Sequence, residues 1–473
     1  MDKSYVRLLK NSTIVFVGNA SSRILGLVML PFYTRWLGVS GYGSTDIINV
    51  YSTFLLSIVS CCLAEAIFVF PKNTNFVNKQ RYFSSSLICA IFLFIICGAI
   101  FYVVEMFFHN KNISNSFLTN LWLIYFMMIG SFLQQFLQQF VCSIDKLFIY
   151  ASTGMLLSIL TIAFSFILVP KYEVYGYIIS IIYANIITAI YSLLLSKAYL
   201  YFSLSAFSIS HLKEMLHYSI PLIPNSMMWW IVSFINRPLM EGYIGLSAIG
   251  IFSVANKFPS VITMLFQVFA VSWQISVFEE FGKSNYSLFF NRILKIISLF
   301  LVLLSILLTI FSHTIIEMFT TIEFIDAIKY MPILSLSVVF ACISSFVGCN
   351  FSVAKESKYF FYSSLWGTLV AILLNWILIP ILGLWGASIS ILCSFIAMTI
   401  SRFIYSWKYV HIDDLKFYII LFILNLLIIA IVLCLKNMLW GYIVSVLLLL
   451  SYVYYYKEIA SNLVTKILDK FIK

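Results

Sequence analysis

Between residues 46 and 60, Asp46, Asn49, Thr53, Ser57 and Ser60 recur at spacings of three, four, four and three. At 100° per residue that series keeps to one narrow helical face inside an otherwise apolar stretch. A carboxylate, an amide and hydroxyls in line either hold neighbouring helices together or present hydrogen-bonding groups to a hydrated solute. Glu65 lies roughly 100° off that face. The pattern returns 207 residues later as Ser253, Asn256, Ser260 and Gln267, with Met264 interrupting and Lys257 on its shoulder. Two further runs carry polar faces: Asn19, Ser22, Arg23 and Gly26, and Ser131, Gln134, Gln135 and Gln138. Arg23 falls near the middle of its apolar run, where an unpaired guanidinium costs at least about 2.5–3.5 kcal/mol. It therefore either pairs with Glu65 or binds an anion in a wet cavity. Lys257 either serves such a cavity or snorkels to the surface. The five histidines are scattered, and the nine cysteines lie in apolar stretches, where they read as small packing residues. No metal site, cofactor or catalytic residue is expected from these spacings.

The elements that must position these side chains follow from composition. Of the residues, 62% are hydrophobic and 10% charged, so water is not the main solvent of this chain. Stretches long enough to cross about 30 Å of hydrocarbon follow one another with short polar gaps, giving an all-α polytopic membrane protein of about fourteen spans and no soluble domain. Spans such as 44–70, 216–240 and 246–277 are expected to be continuous, and a final pair covers 415–435 and 439–456. Unbroken apolarity favours helices over an alternating barrel. The net charge of +11 would suit a nucleic-acid binder, but its placement does not. With Lys3, Arg7 and Lys10 inside, about 21 of the 29 Lys and Arg residues fall at cytoplasmic ends, the positive-inside bias with both termini cytoplasmic.

The most polar internal stretch, near Lys197 to His217, divides the spans. The expected organisation is a six-helix lobe over 1–197, a cytoplasmic linker over 198–215, a second six-helix lobe over 216–408, and an extra helix pair with a basic tail over 409–473. The halves align directly. Leu168-Val169-Pro170 with Gly176 and Ser180 matches Leu378-Ile379-Pro380 with Gly386 and Ser390 at an offset of 210. Lys146, Phe148, Tyr150 and Ser152 match Lys358, Phe360, Tyr362 and Ser364 at 212, and Gly43, Asn49 and Tyr51 match Gly250, Asn256 and Phe258 at 207. An even number of helices per half makes the repeat parallel. Such a repeat either stacks for stability or forms two lobes around a substrate path, and the duplicated stripes favour the path.

The run His217-Tyr218-Ser219-Ile220-Pro221-Leu222-Ile223-Pro224-Asn225-Ser226, with Trp229-Trp230 and Asn236-Arg237, resembles the bacterial polysaccharide biosynthesis flippases. Gly250 through Ser260, Leu37-Gly38 with Gly41-Tyr42-Gly43, and Asn375 through Pro380 with Gly383 and Gly386-Ala387-Ser388 continue the likeness across roughly residues 5–405. The resemblance implies two six-helix lobes around a cationic cavity in the bacterial inner membrane. It implies an undecaprenyl-diphosphate-linked oligosaccharide as the substrate moved to the outer leaflet by alternating access, with a coupling proton or sodium ion, membrane lipids and glycan-assembly proteins as partners. Arg23, Arg237 and Lys257 would then face the diphosphate, and Asn49, Asn256 and Gln267 the sugars. Asn19, Asp46, Thr53, Ser57, Glu65, Gln138, Asn225 and Ser260 would line the cavity. Relatives often carry an acidic residue before the arginine, where this chain has Asn236. A multidrug or cation antiporter of the same superfamily is the main alternative, although it would favour buried carboxylates. A membrane polymerase or glycosyltransferase would need an acidic loop that the stretch 38–43 lacks, and a scaffold for glycan enzymes would not need duplicated stripes.

Overall fold

The computed structural model describes residues 26–108 and 115–434, and these are helical throughout apart from short turns. Among them, nine helices are long and apolar enough to cross a membrane, and one bent pair adds a tenth candidate. The chain divides into two compact units, Met1–Gly250 and Ile251–Lys473.

In the first unit, α1 (Leu30–Val59) is two helices merged across Gly38, whose φ of 62° turns the chain between the end of one span and the start of the next. The expected continuous span 44–70 is broken. Cys61 and Cys62 adopt left-handed φ values of 48° and 51°, and α2 (Leu63–Val69) departs at 58° from α1. Next come α3 (Phe76–Phe108), a single turn α4 (Ser116–Thr119), α5 (Leu121–Ser143) and the 49-residue α6 (Leu147–Leu195), which reverses at Glu173. The expected linker is structured. After two 3-10 turns, α7 (Ile209–Ser219) lies against α3. Ser84 donates to Tyr201 O at 3.0 Å and accepts from Ser203 N at 2.9 Å, Ser85 accepts from Ser208 N at 2.8 Å, and Tyr82 donates to Glu214 at 2.9 Å. Ser84 and Ser85 are fully buried there, because the linker's backbone groups need partners once removed from water.

Within the expected span 216–240, α8 (Leu222–Phe234) and α9 (Asn236–Tyr243) are joined through Ile235, which keeps helical φ and ψ, and α10 (Leu246–Lys257) follows. By sequence these helices open the second repeat, yet α7, α8 and α9 pack inside the first unit against α1, α2 and α3.

The second unit holds α11 (Ser260–Glu280), α12 (Tyr286–Ile310), α13 (Ser312–Phe319), α14 (Ala327–Val353), α15 (Ser357–Leu382), α16 (Leu384–Ser406) and α17 (Leu415–Cys434). At its core Trp273 stacks on Phe346 with centroids 4.0 Å apart and donates its indole N–H to Phe346 O at 3.1 Å. The indole is thus buried with its one polar group satisfied. The first of the two expected extra helices, α17, docks on this unit. Asn291 donates to His411 O at 2.7 Å and accepts from Asp413 N at 3.1 Å, and Lys295 pairs with Asp414. The expected span 439–456 lies outside the described residues.

The internal repeat is written into the backbone. Glu173 (φ 49°, ψ −122°) and Gly383 (φ 59°, ψ −128°) reverse the chain 210 residues apart. Just beyond each, a Cβ on Gly176 would stand 2.2 Å from Leu168 O, and one on Gly386 2.2 Å from Leu378 O. Only glycine permits either approach. The same register holds at the other end of these helices, where Asp145 (φ 61°) and Lys355 (φ 56°) are equivalent. Lys146 N bonds Val141 O at 3.1 Å as Glu356 N bonds Phe351 O at 3.0 Å. The match of Lys146 with Lys358 at 212 is therefore two residues out of register. The turn fixes Glu356, not Lys358, as the counterpart of Lys146.

Candidate functional site

Beyond Gly38 the helix carries its polar stripe toward the rest of the first unit, and the deepest contact is ionic. Arg237, only 2% exposed, approaches Asp46 Oδ2 through Nε at 3.3 Å. Its Nη1 donates to Ser233 O and to Asn236 Oδ1, each at 2.8 Å. The guanidinium also lies 5.1 Å from the centroid of Phe234. Asn236 thus supplies an acceptor beside the arginine, and the carboxylate comes from Asp46 on another helix. Removing Asp46 would leave the buried Arg237 charge without its carboxylate, which is destabilising.

One turn along from Asp46, Asn49 donates to Thr45 O at 2.8 Å and reaches Tyr177 OH at 3.4 Å. Tyr177 packs edge-on against Tyr33, centroids 5.1 Å apart, and Tyr33 shares a hydrogen bond with Ser165 at 2.8 Å. Trp230 donates from Nε1 to Val50 O at 3.2 Å and lies on Phe54 at 4.2 Å. Glu241 accepts from Tyr51 OH at 3.0 Å and from Ser116 N at 2.6 Å. Asp46, Asn49, Arg237 and the rings of Tyr33, Tyr177 and Trp230 therefore form a mixed ionic, amide and aromatic cluster, largely buried in the first unit. Those groups can pair with an anion, accept and donate to hydroxyls, and stack on sugar faces.

The remaining stripe residues occupy varied settings. Thr53 is exposed and Ser57 half-buried, and each hydroxyl bonds back to its own helix, to Asn49 O and Thr53 O. Ser60 is buried at the break. Glu65 is exposed in the first turn of α2, while Arg23 and Asn19 lie outside the described residues. Gln138 accepts from Gln134 at 2.8 Å and donates to Tyr150 O at 3.0 Å, so it ties α5 to α6. The Asn225 side-chain oxygen is buried with no hydrogen-bond partner among the described residues.

In the second unit, Asn256 and Lys257 are half-buried at the end of α10, and Ser260 and Gln267 are exposed on α11. Pro259 stands at the break between these helices, because proline lacks the N–H that would continue the ladder. The expected continuous span 246–277 is therefore interrupted at Phe258-Pro259, between Asn256 and Ser260. Among the described residues no three His, Cys, Asp or Glu side chains converge as a metal site would require.

A second buried guanidinium was not singled out by the sequence pattern. Arg402, 1% exposed, donates from Nε to Ser363 at 3.2 Å and from Nη1 to Ser344 O at 2.8 Å, and lies 5.1 Å from the Phe360 centroid. At the 210 offset its counterpart contact is Thr153 with Ser192, 2.8 Å apart. The repeat register was the available signal, since it places an arginine where the first half has a serine.

Comparison with known proteins places the chain. The profile of the polysaccharide biosynthesis protein family matches residues 8–274, and the MatE profile matches 221–377. A protein of the Lsg locus of Haemophilus influenzae is 31% identical over 93 residues, 19% of this chain; the match spans only 23% of that relative's length. Among solved structures, the lipid II flippase MurJ in an inward closed conformation superposes with a TM-score of 0.75 at 18% identity, covering 94% of this chain and 100% of that one. An outward-facing multidrug resistance MATE transporter gives 0.60 at 15% identity, covering 85% and 94%. A transporter of the MOP superfamily from Pyrococcus furiosus gives 0.61 at 14%, again covering 85% and 94%. At these identities the structures speak for the fold, and the profile match over more than half of the chain speaks for the family. The chain belongs to the polysaccharide biosynthesis protein family, within the multidrug/oligosaccharidyl-lipid/polysaccharide exporter superfamily.

Proposed function

We propose that the protein is a lipid-linked glycan flippase, moving an undecaprenyl-diphosphate-bound oligosaccharide from the cytoplasmic to the outer leaflet of a bacterial inner membrane by alternating access. The observation that carries this reading is Arg237, a guanidinium buried among spanning helices beside Asp46, Asn49 and aromatic rings. A diphosphate with hydrated sugars cannot cross hydrocarbon without polar partners, while a polyprenyl tail can stay in lipid. A bidentate guanidinium suits two adjacent phosphates better than an ammonium does. In this scheme the diphosphate takes the place of the Asp46 carboxylate on Arg237, with Arg23 adding charge, and Lys257 is the cation the second unit contributes to transport. Asn49 and Ser57 on the first unit, and Asn256 and Gln267 on the second, are the hydrogen-bonding groups each unit offers to hydrated sugars, and both termini are cytoplasmic. The family match and the likeness to a lipid II flippase support a lipid-linked cargo.

Flipping of labelled lipid-linked oligosaccharide in vesicles tests this. At matched abundance Arg237→Gln and Arg23→Gln should lose most transport, and Arg23→Lys should keep some. An Arg23→Gln, Glu65→Gln double variant should stay inactive; full rescue would reduce Arg23 to a partner of Glu65.

The MatE match over 221–377 favours one second reading, a cation antiporter. Efflux of a cationic dye by the purified chain in the same vesicles, without glycan flipping, would select it.

A further inference from the structure

We propose that the cleft between α15 and α16 binds an anionic diacyl phospholipid, with an acyl chain in the cleft and the headgroup phosphate on Lys358 and Lys408. The site lies wholly on the second unit and does not depend on the glycan reading.

The cleft holds about 400 Å³ and is lined by Trp366, Ala397, Ile400, Ser401, Ile404 and Tyr405. These helices run antiparallel, so Trp366 lies nine residues in from the start of α15 and Ala397 nine residues from the end of α16. At 1.5 Å per residue the cleft reaches about 13 Å from that end of the helices toward their middle. Ile400 is 53% exposed and Ile404 65%, and on spanning helices such surface meets hydrocarbon. Of the two hydroxyls in the wall, Ser401 donates to Met398 O of its own helix at 2.9 Å, and that of Tyr405 stands at the mouth. The walls therefore suit an alkyl chain and give a sugar little to bond.

The mouth has the opposite character. Tyr405, part of the lining, stacks on Tyr359 with centroids 5.3 Å apart, and Lys358 Nζ lies 5.1 Å from the Tyr359 centroid. Lys408 follows Tyr405 by three residues. Glu356 sits between the two lysines, 3.0 Å from Lys408 and 3.3 Å from Lys358. Two cations thus meet one anion. The side chains of Lys358 and Lys408 are 60% and 63% exposed, and each ammonium has three donors, more than one carboxylate engages. Interfacial Trp and Tyr anchor this end, as Trp407 and Tyr362 do beside the cluster. An apolar slot that opens on surplus positive charge at a membrane interface matches a chain and an acidic headgroup together.

The test uses the full chain in detergent micelles, with bound lipid counted by native mass spectrometry after adding phosphatidylglycerol or phosphatidylcholine. Wild type should retain phosphatidylglycerol about thirtyfold more strongly, from two lysines at the interface. Lys358→Gln with Lys408→Gln should bring the two lipids to parity. Glu356→Gln should increase phosphatidylglycerol retention, and Ala397→Phe, which fills the slot, should lower retention of both lipids. Parity in wild type would overturn the proposal as mere solvation by lipid. So would a preference that survives loss of both lysines, or retention that Ala397→Phe leaves unchanged. Displacement of bound phosphatidylglycerol by equimolar undecaprenyl phosphate would also overturn it, assigning the slot to the carrier lipid. If the double lysine variant does not accumulate, the Glu356 and Ala397 variants still decide.

Discussion

Gly43 and Gly250 answer one another across a helix crossing. A Cβ on Gly43 would stand 2.0 Å from Leu246 O, and one on Gly250 would stand 2.0 Å from Val39 O. Each glycine thus lies against a carbonyl four residues before its counterpart, with the same 207-residue offset between Val39 and Leu246 as between the glycines. Small residues let spanning helices approach backbone to backbone, which is how such helices gain packing energy in lipid.

Gly43→Ala and Gly250→Ala should each destabilise the protein by about 1–3 kcal/mol through overpacking. The expected readout is a lower melting temperature of the detergent-solubilised protein for both, with the double variant less than additive because the two share one contact. Unchanged melting in either variant would mean the crossing opens without cost.

Thr53 is exposed while Val50, three residues earlier on the same helix, is 3% exposed. In a cysteine-free background, Thr53→Cys should react with a small polar thiol reagent and Val50→Cys should not. Equal protection at both would show that the stripe is packed against other helices or lipid and does not line water.

Arg402 uses Nε and Nη1 toward two different helices and lies over Phe360. Arg402→Lys keeps the charge but not the planar fork, so it should cost about 1–3 kcal/mol. Gly348→Ala should also destabilise, since its Cβ would meet Phe360 Cε1 at 2.7 Å and Arg402 Nη1 at 3.0 Å. Thermal melting checks both, and a Lys variant as stable as wild type would refute the geometric argument.

Glu356, in the turn before α15, is held down to about 2 by its hydrogen bond to Lys408, with Tyr409 and Lys358 assisting. A depressed carboxylate adds stability above its ordinary value near 4.5 and loses it as pH falls toward 2. Because both lysine partners are exposed, the effect is small. Glu356→Gln should melt slightly below wild type at neutral pH, and the gap should close between pH 4.5 and 2. A gap that persists at pH 2 would place its origin elsewhere.

Composition and spacing were enough for the class of protein. Long apolar runs admit only helices in hydrocarbon, and the Pro170/Gly176 and Pro380/Gly386 pairs marked the repeat because a tight helix reversal needs those residue types wherever it occurs. Asp46, Asn49 and Arg237 were likewise legible as polar groups in apolar surroundings. Their partners were not. Asp46 and Arg237 stand 191 residues apart, and helical periodicity says which face a residue occupies but not which helix comes to meet it. The breaks at Cys61-Cys62 and Phe258-Pro259 were hidden for a related reason, since hydropathy is blind to helix direction. Tertiary structure alone decided that Gln138 ties two helices, that α7 to α9 join the first unit, and that Arg402 is buried. Each outcome depends on which backbone and side-chain groups are left needing partners after the helices pack, and sequence spacing carries no record of that.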